Sequence, residues 1–475
     1  MIKIENRKIY LFFIYPLAAL IFLVLSVAFI LSAKGYNIHL EKNEIKIEKT
    51  GMLIIGSKPS GADILLNGKD TTKKTTTFFS VKIDGLGDKK YLLTLEKDGY
   101  YKWEKEVKIF PEMVTWANYV LLFPKKPNIQ KIDFDGTLIQ SFPSLDSKAN
   151  LTLIKTQNGE AIYQIQNSTG EKSLILDTGK QSEDKKISGI SIVDWSKDRR
   201  NILVSANLKS EKKYWVVNTD SKNIEDLTAL SPIKFDVLKF STANNDELFG
   251  LVGGVLSRVN IKTRSVTSDM EKQIVYFTFS ENGKIYYIKD EKGIRSLWQA
   301  GGDLSGKTNL SDAIPVSAAY NLKIDPKDQK VLVQTKENAE VFLLTKVGEK
   351  NSLTTIGKNV SYFAWSADSE RFLYKIKDSN IIVFESDDFK KESMEYNILG
   401  SQNYGNIIWY DSRHLLAKKD DNKLEIMDFD GANRVTLGEM VPDRLPFSSS
   451  DNGDILFFSP GKADQAVLDR YITGF

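Results

Sequence analysis

The hydrophobic pattern of the chain changes character twice. From Ile9 to Leu31 it has no period: 23 residues pass without a charge, and Ile, Leu, Phe or Val fill 16 of them. A helix of that length spans about 34 Å, against a hydrocarbon core of about 30 Å. The run exceeds the core of a secretory signal, about 7 to 15 residues, and its nearest small residues, Ser26, Ala28, Ser32 and Ala33, make a poor cleavage site. It reads as an uncleaved membrane anchor, with a cleaved signal as the alternative. Lys3, Arg7 and Lys8 precede it with only Glu5 opposing, which by the positive-inside rule puts the N-terminus in the cytoplasm and everything after about Ser32 outside.

Beyond the run the period becomes two. Ile38, Leu40, Ile45 and Ile47 alternate with polar residues, and Met52–Ile55, Asp63–Leu66, Tyr91–Glu96 and Glu106–Ile109 follow as further strands. Asn67-Gly68, Asp84-Gly85 and Asp98-Gly99 punctuate them, supplying the positive φ that tight hairpins require. This stretch predicts a small β-sandwich or open barrel, closed by a linker at Lys125-Lys126-Pro127.

From there a phrase recurs: a large apolar residue, one or two small residues, an Asp or Asn, then a strand. It reads Trp195-Ser196-Lys197-Asp198, Phe279-Ser280-Glu281-Asn282 and Trp365-Ser366-Ala367-Asp368, and less cleanly at Phe142, Phe240, Ile324, Trp409 and Phe447. The mean spacing is roughly 44 residues, within the period of a four-stranded propeller blade. The aromatic is expected to fill the wedge between blades and the Asp or Asn to make the turn, ahead of strands such as Asn201–Val204 and Arg371–Tyr374. Eight anchors predict eight blades, with seven as the alternative. After Phe447 only two strands remain, Ile455–Ser459 and Ala466–Ile472, so closure requires a strand borrowed from Asn128–Phe134.

Composition narrows the chemistry. The 475 residues exceed one ordinary core, and about 150 residues per domain suggests about three units. Lys and Arg number 65 against 62 Asp and Glu, so the balance offers nothing to a nucleic acid. The absence of cysteine removes disulfides, thiolate catalysis and Cys-ligated zinc together.

Two segments resemble known families. Gly51-Met52-Leu53-Ile54-Ile55, Ser57-Lys58-Pro59-Ser60-Gly61-Ala62, Ile64-Leu65-Leu66-Asn67-Gly68, Lys90-Tyr91-Leu92-Leu93-Thr94-Leu95 and Asp98-Gly99-Tyr100 together resemble the PEGA domain in order and spacing. One departure is the run from Thr71 to Thr77, which stands where the family has a Gly-x-Thr-Pro turn. The resemblance implies an extracytoplasmic bacterial protein and a surface or cell-wall interaction module without defining catalytic residues. The recurring anchors, with Asp-Gly turns such as Asp428-Phe429-Asp430-Gly431, resemble the TolB-type, WD-like propeller family over roughly residues 128 to 475.

Motifs that suggest chemistry lack their required context. Gly301-Gly302-Asp303-Leu304-Ser305-Gly306-Lys307-Thr308 satisfies the P-loop pattern, yet Pro315 follows too soon for the helix that must hold phosphate, and the match falls at a hairpin turn in blade register. Asp428-Phe429-Asp430-Gly431 and Asp133-Phe134-Asp135-Gly136 lack the ligand array of a calcium loop and read as turns. Of the two histidines, His39 and His414, only His414 is placed for a triad, and no Gly-x-Ser-x-Gly elbow accompanies it. The Ser-x-Asp phrases lack the Gly and downstream Trp of sialidase Asp-boxes. Tyr100, Tyr101, Trp103 and Trp116 could form a sugar-stacking platform, but in a small β-domain they are expected to pack its core.

The expectation is an all-β chain with one transmembrane helix: 1–8 cytoplasmic tail, 9–31 transmembrane helix, 32–50 juxtamembrane strands or linker, 51–124 PEGA-like β-domain, 125–475 β-propeller. Its function would be non-enzymatic binding or scaffolding of an envelope protein or cell-surface polysaccharide from the cell membrane. The alternative is a propeller enzyme acting on envelope polysaccharide. No catalytic, cofactor-binding or metal-ligating residue is nominated, and no cofactor, nucleotide or nucleic acid is implied. Acidic and aromatic residues clustered in one funnel would favour the enzyme, and an apolar or mixed rim a protein partner.

Overall fold

An apolar run with no polar stripe gives a helix with no preferred side. The computed structural model describes residues 5–33, 35–41, 44–181, 187–209, 211–230, 234–347, 350–385, 394–461 and 465–475; Lys3, one of the charges flanking the run, lies outside them. Helix α1 (Glu5–Ala33) contains Pro16, and its Ile14–Leu31 stretch is long and apolar enough to cross a membrane. Phe22 and Phe29 are about three-quarters exposed at 74% and 75%, so the helix presents bulk apolar side chains outward. The chain divides into two units, Met1–Lys126 with Phe475, and Pro127–Gly474.

In the first unit the alternating segments build two four-stranded sheets. Strands β1 (Tyr36–Glu41), β2 (Glu44–Lys58), β3 (Asp63–Leu66), β4 (Lys69–Lys74), β5 (Val81–Gly87), β6 (Lys90–Glu96), β7 (Trp103–Lys108) and β8 (Val114–Leu121) follow in chain order. One sheet runs β1-β2-β5 with β8 added to β2 in parallel, and the other runs β4-β3-β6-β7. Between them lie Leu53, Ile55, Ile64, Leu93, Leu95, Trp103, Val107 and Val120, all buried. The Asn67-Gly68 step makes the expected two-residue hairpin, with both φ positive and Leu66 paired to Lys69.

Asp84-Gly85 does not make a hairpin turn. It lies inside β5, where the register passes from Gly51↔Leu86 to Leu53↔Ile83 and leaves one extra residue on β5. Gly85, at φ +73°, supplies the positive φ of a bulge. The threonine-rich departure is also ordered: Thr71 to Lys74 belong to β4, and the Thr75 hydroxyl meets Ser57 Oγ at 2.8 Å and accepts from Ala62 N at 3.0 Å.

The second unit is a ring of eight four-stranded antiparallel sheets among the described residues. Blades 1 to 7 span 137–177, 187–226, 237–271, 274–311, 320–357, 360–398 and 404–439, each laid down in chain order. Blade 8 (447–472) has three strands of its own, and β9 (Asn128–Asp133) completes it by pairing with Val467–Ile472. Eight blades is therefore the count, and the borrowed strand comes from the expected segment. The apolar cores lie between blades rather than within them. Leu151, Leu153 and Ile162 of blade 1 pack with Ile192, Ile202 and Val204 of blade 2, and Phe447, Leu456 and Phe458 of blade 8 pack with Ile154 and Ile165 of blade 1.

Polar struts cross the seams as well. Gln140 bonds Ile192 in both directions, its Nε2 donating to the carbonyl at 2.8 Å and its Oε1 accepting from the N–H at 2.9 Å. Thr242 Oγ1 donates to Ser280 O, Asn282 Nδ2 to Pro326 O, and Tyr410 O–H to Gly453 O, the last at 2.6 Å. At the junction of blades 6 and 7 the buried Arg371 pairs with Glu385 and stacks 4.6 Å over the Phe429 ring.

The seam between the last blade and the first is held by Arg470. Its guanidinium lies 2.5 Å from the buried Asp454 carboxylate, donates to Gln130 Oε1 of β9 at 2.7 Å, and donates to the blade 1 carbonyls of Ser168 and Thr169. Arg470→Ala leaves Asp454 buried without its cation, an expected loss of about 3–5 kcal/mol in urea unfolding of the full chain. The double variant Arg470→Met, Asp454→Asn is expected to recover most of it, because replacing both members removes the uncompensated charge.

Candidate functional site

The recurring phrase is a turn whose parts can be seen bonding. Ser196 Oγ donates to Asp198 Oδ1 at 2.7 Å and accepts from Asn201 N at 2.9 Å, while Asp198 Oδ1 accepts from Arg200 N. Ser366 repeats this with Asp368 and Arg371 N, and Ser144 with Asp146 and Ala149 N. In blade 5 an aspartate takes the serine's place, and Asp325 Oδ1 accepts from Lys330 N at 2.6 Å. Each phrase thus closes the turn from the first to the second strand of its blade. Strand 1 of a blade is the innermost, since first strands of neighbouring blades approach one another across the ring.

The residue before the anchor is displayed where the innermost strands end. Two cavities open there, of about 330 and 300 Å³, sharing Pro143. The first is lined by Phe142, Leu145, Trp195, Phe240 and Phe279 together with Asp194, Lys197, Lys239 and Thr278. The second is lined by Ile408, Trp409, Leu445 and Pro446 with Gln140, Ser141, Asp443 and Arg444. The mouth is therefore mixed: apolar walls carrying three cations and two carboxylates.

Not all of these charges are available. Asp194 Oδ2 accepts from Phe240 N at 2.7 Å and its Oδ1 from Trp195 N at 2.9 Å, so the carboxylate holds blade 3 to blade 2. As a residue it is half-exposed, but its carboxyl is packed against protein, and this burial raises its pKa against the opposing pull of those N–H donors. Lys197 donates to Glu281 O at 2.7 Å. Lys239 makes weaker contacts, 5.7 Å over the Tyr276 ring and 3.5 Å from Thr278 Oγ1, and it is the freest donor in the first cavity. Two blades on, Lys323 occupies the same register position; burial and then the charge of Lys239 lower its pKa. The excess charge of the mouth is positive.

The other motifs resolve into structure. Gly301 to Lys307 form the turn leading into the strand Thr308–Ser311, with Leu304 buried and Lys307 paired to Glu271, and no helix follows. Asp428 to Gly431 form the corresponding turn of blade 7, closed by Gly431 N on Asp428 O at 2.8 Å, with Phe429 in the core. His414 is buried with Nδ1 2.9 Å from Asp411 and Nε2 3.5 Å from Asp428, so both ring nitrogens face carboxylates. Among the described residues no three His, Asp or Glu side chains are grouped to hold a metal.

The PEGA-like aromatics divide. Trp103 is buried and meets Tyr119 edge-on at 6.2 Å, and Tyr100 packs against the same core. Tyr101 and Trp116 do not pack as expected, being 42% and 56% exposed. Trp116 shares strand parity with the exposed Val114 and Asn118 and opposes the buried Ala117, a parity its neighbours already display. Lys239 and Lys323 lie outside the recurring phrase, one position before the anchors Phe240 and Ile324, and so are not signalled by it. Reading one position earlier gives Asp194, Lys239, Thr278 and Lys323, a polar run that core strands do not need.

Lys323 supplies a pH test. Its charged form is disfavoured in the folded protein, so the folded state carries a penalty at neutral pH that disappears as pH rises toward its ordinary pKa and Lys323 releases its proton. Lys323→Met is expected to raise the thermal midpoint at pH 7, modestly because the side chain keeps solvent access, with the gain narrowing toward pH 10.

Comparison with known proteins finds one family match and a set of distant structural likenesses. Residues 50–122 match the PEGA domain family. Among solved structures, TolB from Acinetobacter baumannii is similar at 15% identity, over 56% of this chain and 60% of that one, with a TM-score of 0.33. The alignment thus spans less than two thirds of TolB. An oligogalacturonate lyase from Vibrio parahaemolyticus aligns at 11% identity over 73% of this chain and 98% of that one, with a TM-score of 0.41. A eukaryotic initiation factor aligns at 13% identity over 72% and 87%, with a TM-score of 0.45. No curated protein matches the chain. The chain therefore carries a PEGA domain at residues 50–122 and an eight-bladed β-propeller beyond it.

Proposed function

We propose that this is a single-pass, membrane-anchored binding protein of the bacterial cell envelope, with residues 1–8 in the cytoplasm and both folded units outside. In this reading the PEGA domain is an envelope interaction module. The propeller captures its partner at the channel mouth and performs no chemistry. The observation that carries the reading is the composition of that mouth. Leu145, Trp195, Pro446 and their neighbours form apolar walls, and Lys197, Lys239 and Arg444 stand among them. Such a surface suits a segment of an envelope protein that offers apolar side chains and a carboxylate: the walls supply affinity, and the lysines and arginine supply attraction and register. The one carboxylate of the first cavity, Asp194, is occupied by two backbone donors, which favours binding over acid catalysis there.

A photo-crosslinking amino acid at Leu145, 47% exposed on the rim, tests this in the full-length protein in cells. Capture of a defined envelope protein is expected, weakened on the order of tenfold (~1.4 kcal/mol) by Lys239→Glu. Saturable retention of an acidic polysaccharide without a protein crosslink would replace the partner. Cleavage of that polysaccharide by the purified full chain would establish the enzyme.

A further inference from the structure

The first unit exposes a compact apolar patch that neither its own core nor the channel explains. Phe110 is 49% exposed, Met113 60%, Val114 40% and Trp116 56%, all in the β7–β8 loop or the start of β8. Their backbone is tied to the point where the chain leaves α1. Thr50 N and Thr50 Oγ1 both donate to Gly35 O at 2.7 Å; Glu112 N donates to Thr50 O at 3.0 Å; Met52 N donates to Met113 O at 3.0 Å. Gly35 follows the last residue of α1, Ala33, by two positions. Two such bonded steps, each about the 4.8 Å spacing of paired strands, place the loop within about 10 Å of the helix exit.

The approach is built in. A Cβ on Gly51 would lie 2.3 Å from Phe110 O and 2.7 Å from Ile109 Cγ2, so glycine is needed for the loop to lie this close against β2. The flanks carry two lysines, each paired with a carboxylate: Lys108 Nζ lies 5.6 Å from the Phe110 ring centroid and pairs with Asp88, and Lys49 Nζ lies 3.2 Å from Glu112. Aromatic and thioether side chains beside lysines, one short loop away from an apolar helix, match the chemistry of the lipid headgroup zone, where amphipathic rings and snorkelling cations are stable.

We propose that the Phe110–Trp116 edge of the PEGA domain lies in the outer headgroup layer of the same bilayer that holds α1, making a second, interfacial contact with lipid. This rests on the membrane-anchor reading above. The contact removes the apolar patch from water and seats the first unit on the membrane surface instead of leaving it to pivot about Gly35.

Because the chain has no cysteine, any introduced one is a unique label site. Full-length protein carrying a spin label at Met113→Cys is reconstituted in nanodiscs of phosphatidylcholine and phosphatidylglycerol. Relative collision rates with oxygen and with a water-soluble nickel complex are then read. Leu23→Cys reports α1, Ile294→Cys is an exposed propeller reference, and Trp116→Cys repeats the test at a second patch position. The expected result is an oxygen-to-nickel ratio at positions 113 and 116 severalfold above that at 294, with the highest ratio at 23. A lipid-like value at 23 with water-like values at 113 and 116 overturns the interfacial contact and leaves the anchor standing. A water-like value at 23, or loss of that label by cleavage, overturns both.

Discussion

A propeller stands or falls on the closing of its ring. Every blade is a twisted sheet with an apolar face on each side, and each face is covered only by the neighbouring blade. One unclosed seam would expose two such faces together with a strand edge. Here the closing blade takes three strands from one end of the propeller and β9 from the other, so the seam runs through a sheet and is held by backbone pairs from Asn128↔Ile472 to Asp133↔Val467. Arg470 fixes the register of that sheet by binding β9, Asp454 and blade 1 together. The interblade cores, the turns and the channel mouth all depend on this closure.

The channel mouth inherits its chemistry from the same geometry. Position by position, the innermost strands give one side chain to the wedge between blades and the next to the axis. The wedge positions are apolar, as in Trp195 and Phe240, because there they are surrounded by neighbouring blades. The axial positions are free of that demand, and Asp194, Lys239, Thr278 and Lys323 occupy them. The division is not complete: the Asp194 carboxylate also ties blade 3 to blade 2, and Trp195 and Phe240 also wall the first cavity, so these positions serve the fold and the mouth together.

The turns were legible in the sequence because their bonds are local. Ser196 and Asp198 bond each other and the next two strand-opening N–H groups, all within five residues, so spacing alone reveals them. The need for β9 was legible by counting strands. The identity of the latch was not, since Arg470 and Gln130 are 340 residues apart and nothing local marks either. Asp84-Gly85 was misread for a different reason: a positive-φ glycine serves a bulge as well as a turn, and only the register shift at Gly51 and Leu53 distinguishes the two. Trp116 departs from the expected core because its strand parity, shared with the exposed Val114 and Asn118, overrides the burial preference of its residue type.

The borrowed strand also sets an order of events during synthesis. At about 5–20 residues per second, the 340 residues separating Gln130 from Arg470 take roughly 20–70 s to emerge. Through that interval β9 has been made but has no partner, while blades 1 to 7 can form one after another. Until Arg470 and its strand emerge, a bare strand edge must be shielded from neighbouring chains for longer than most domains take to fold.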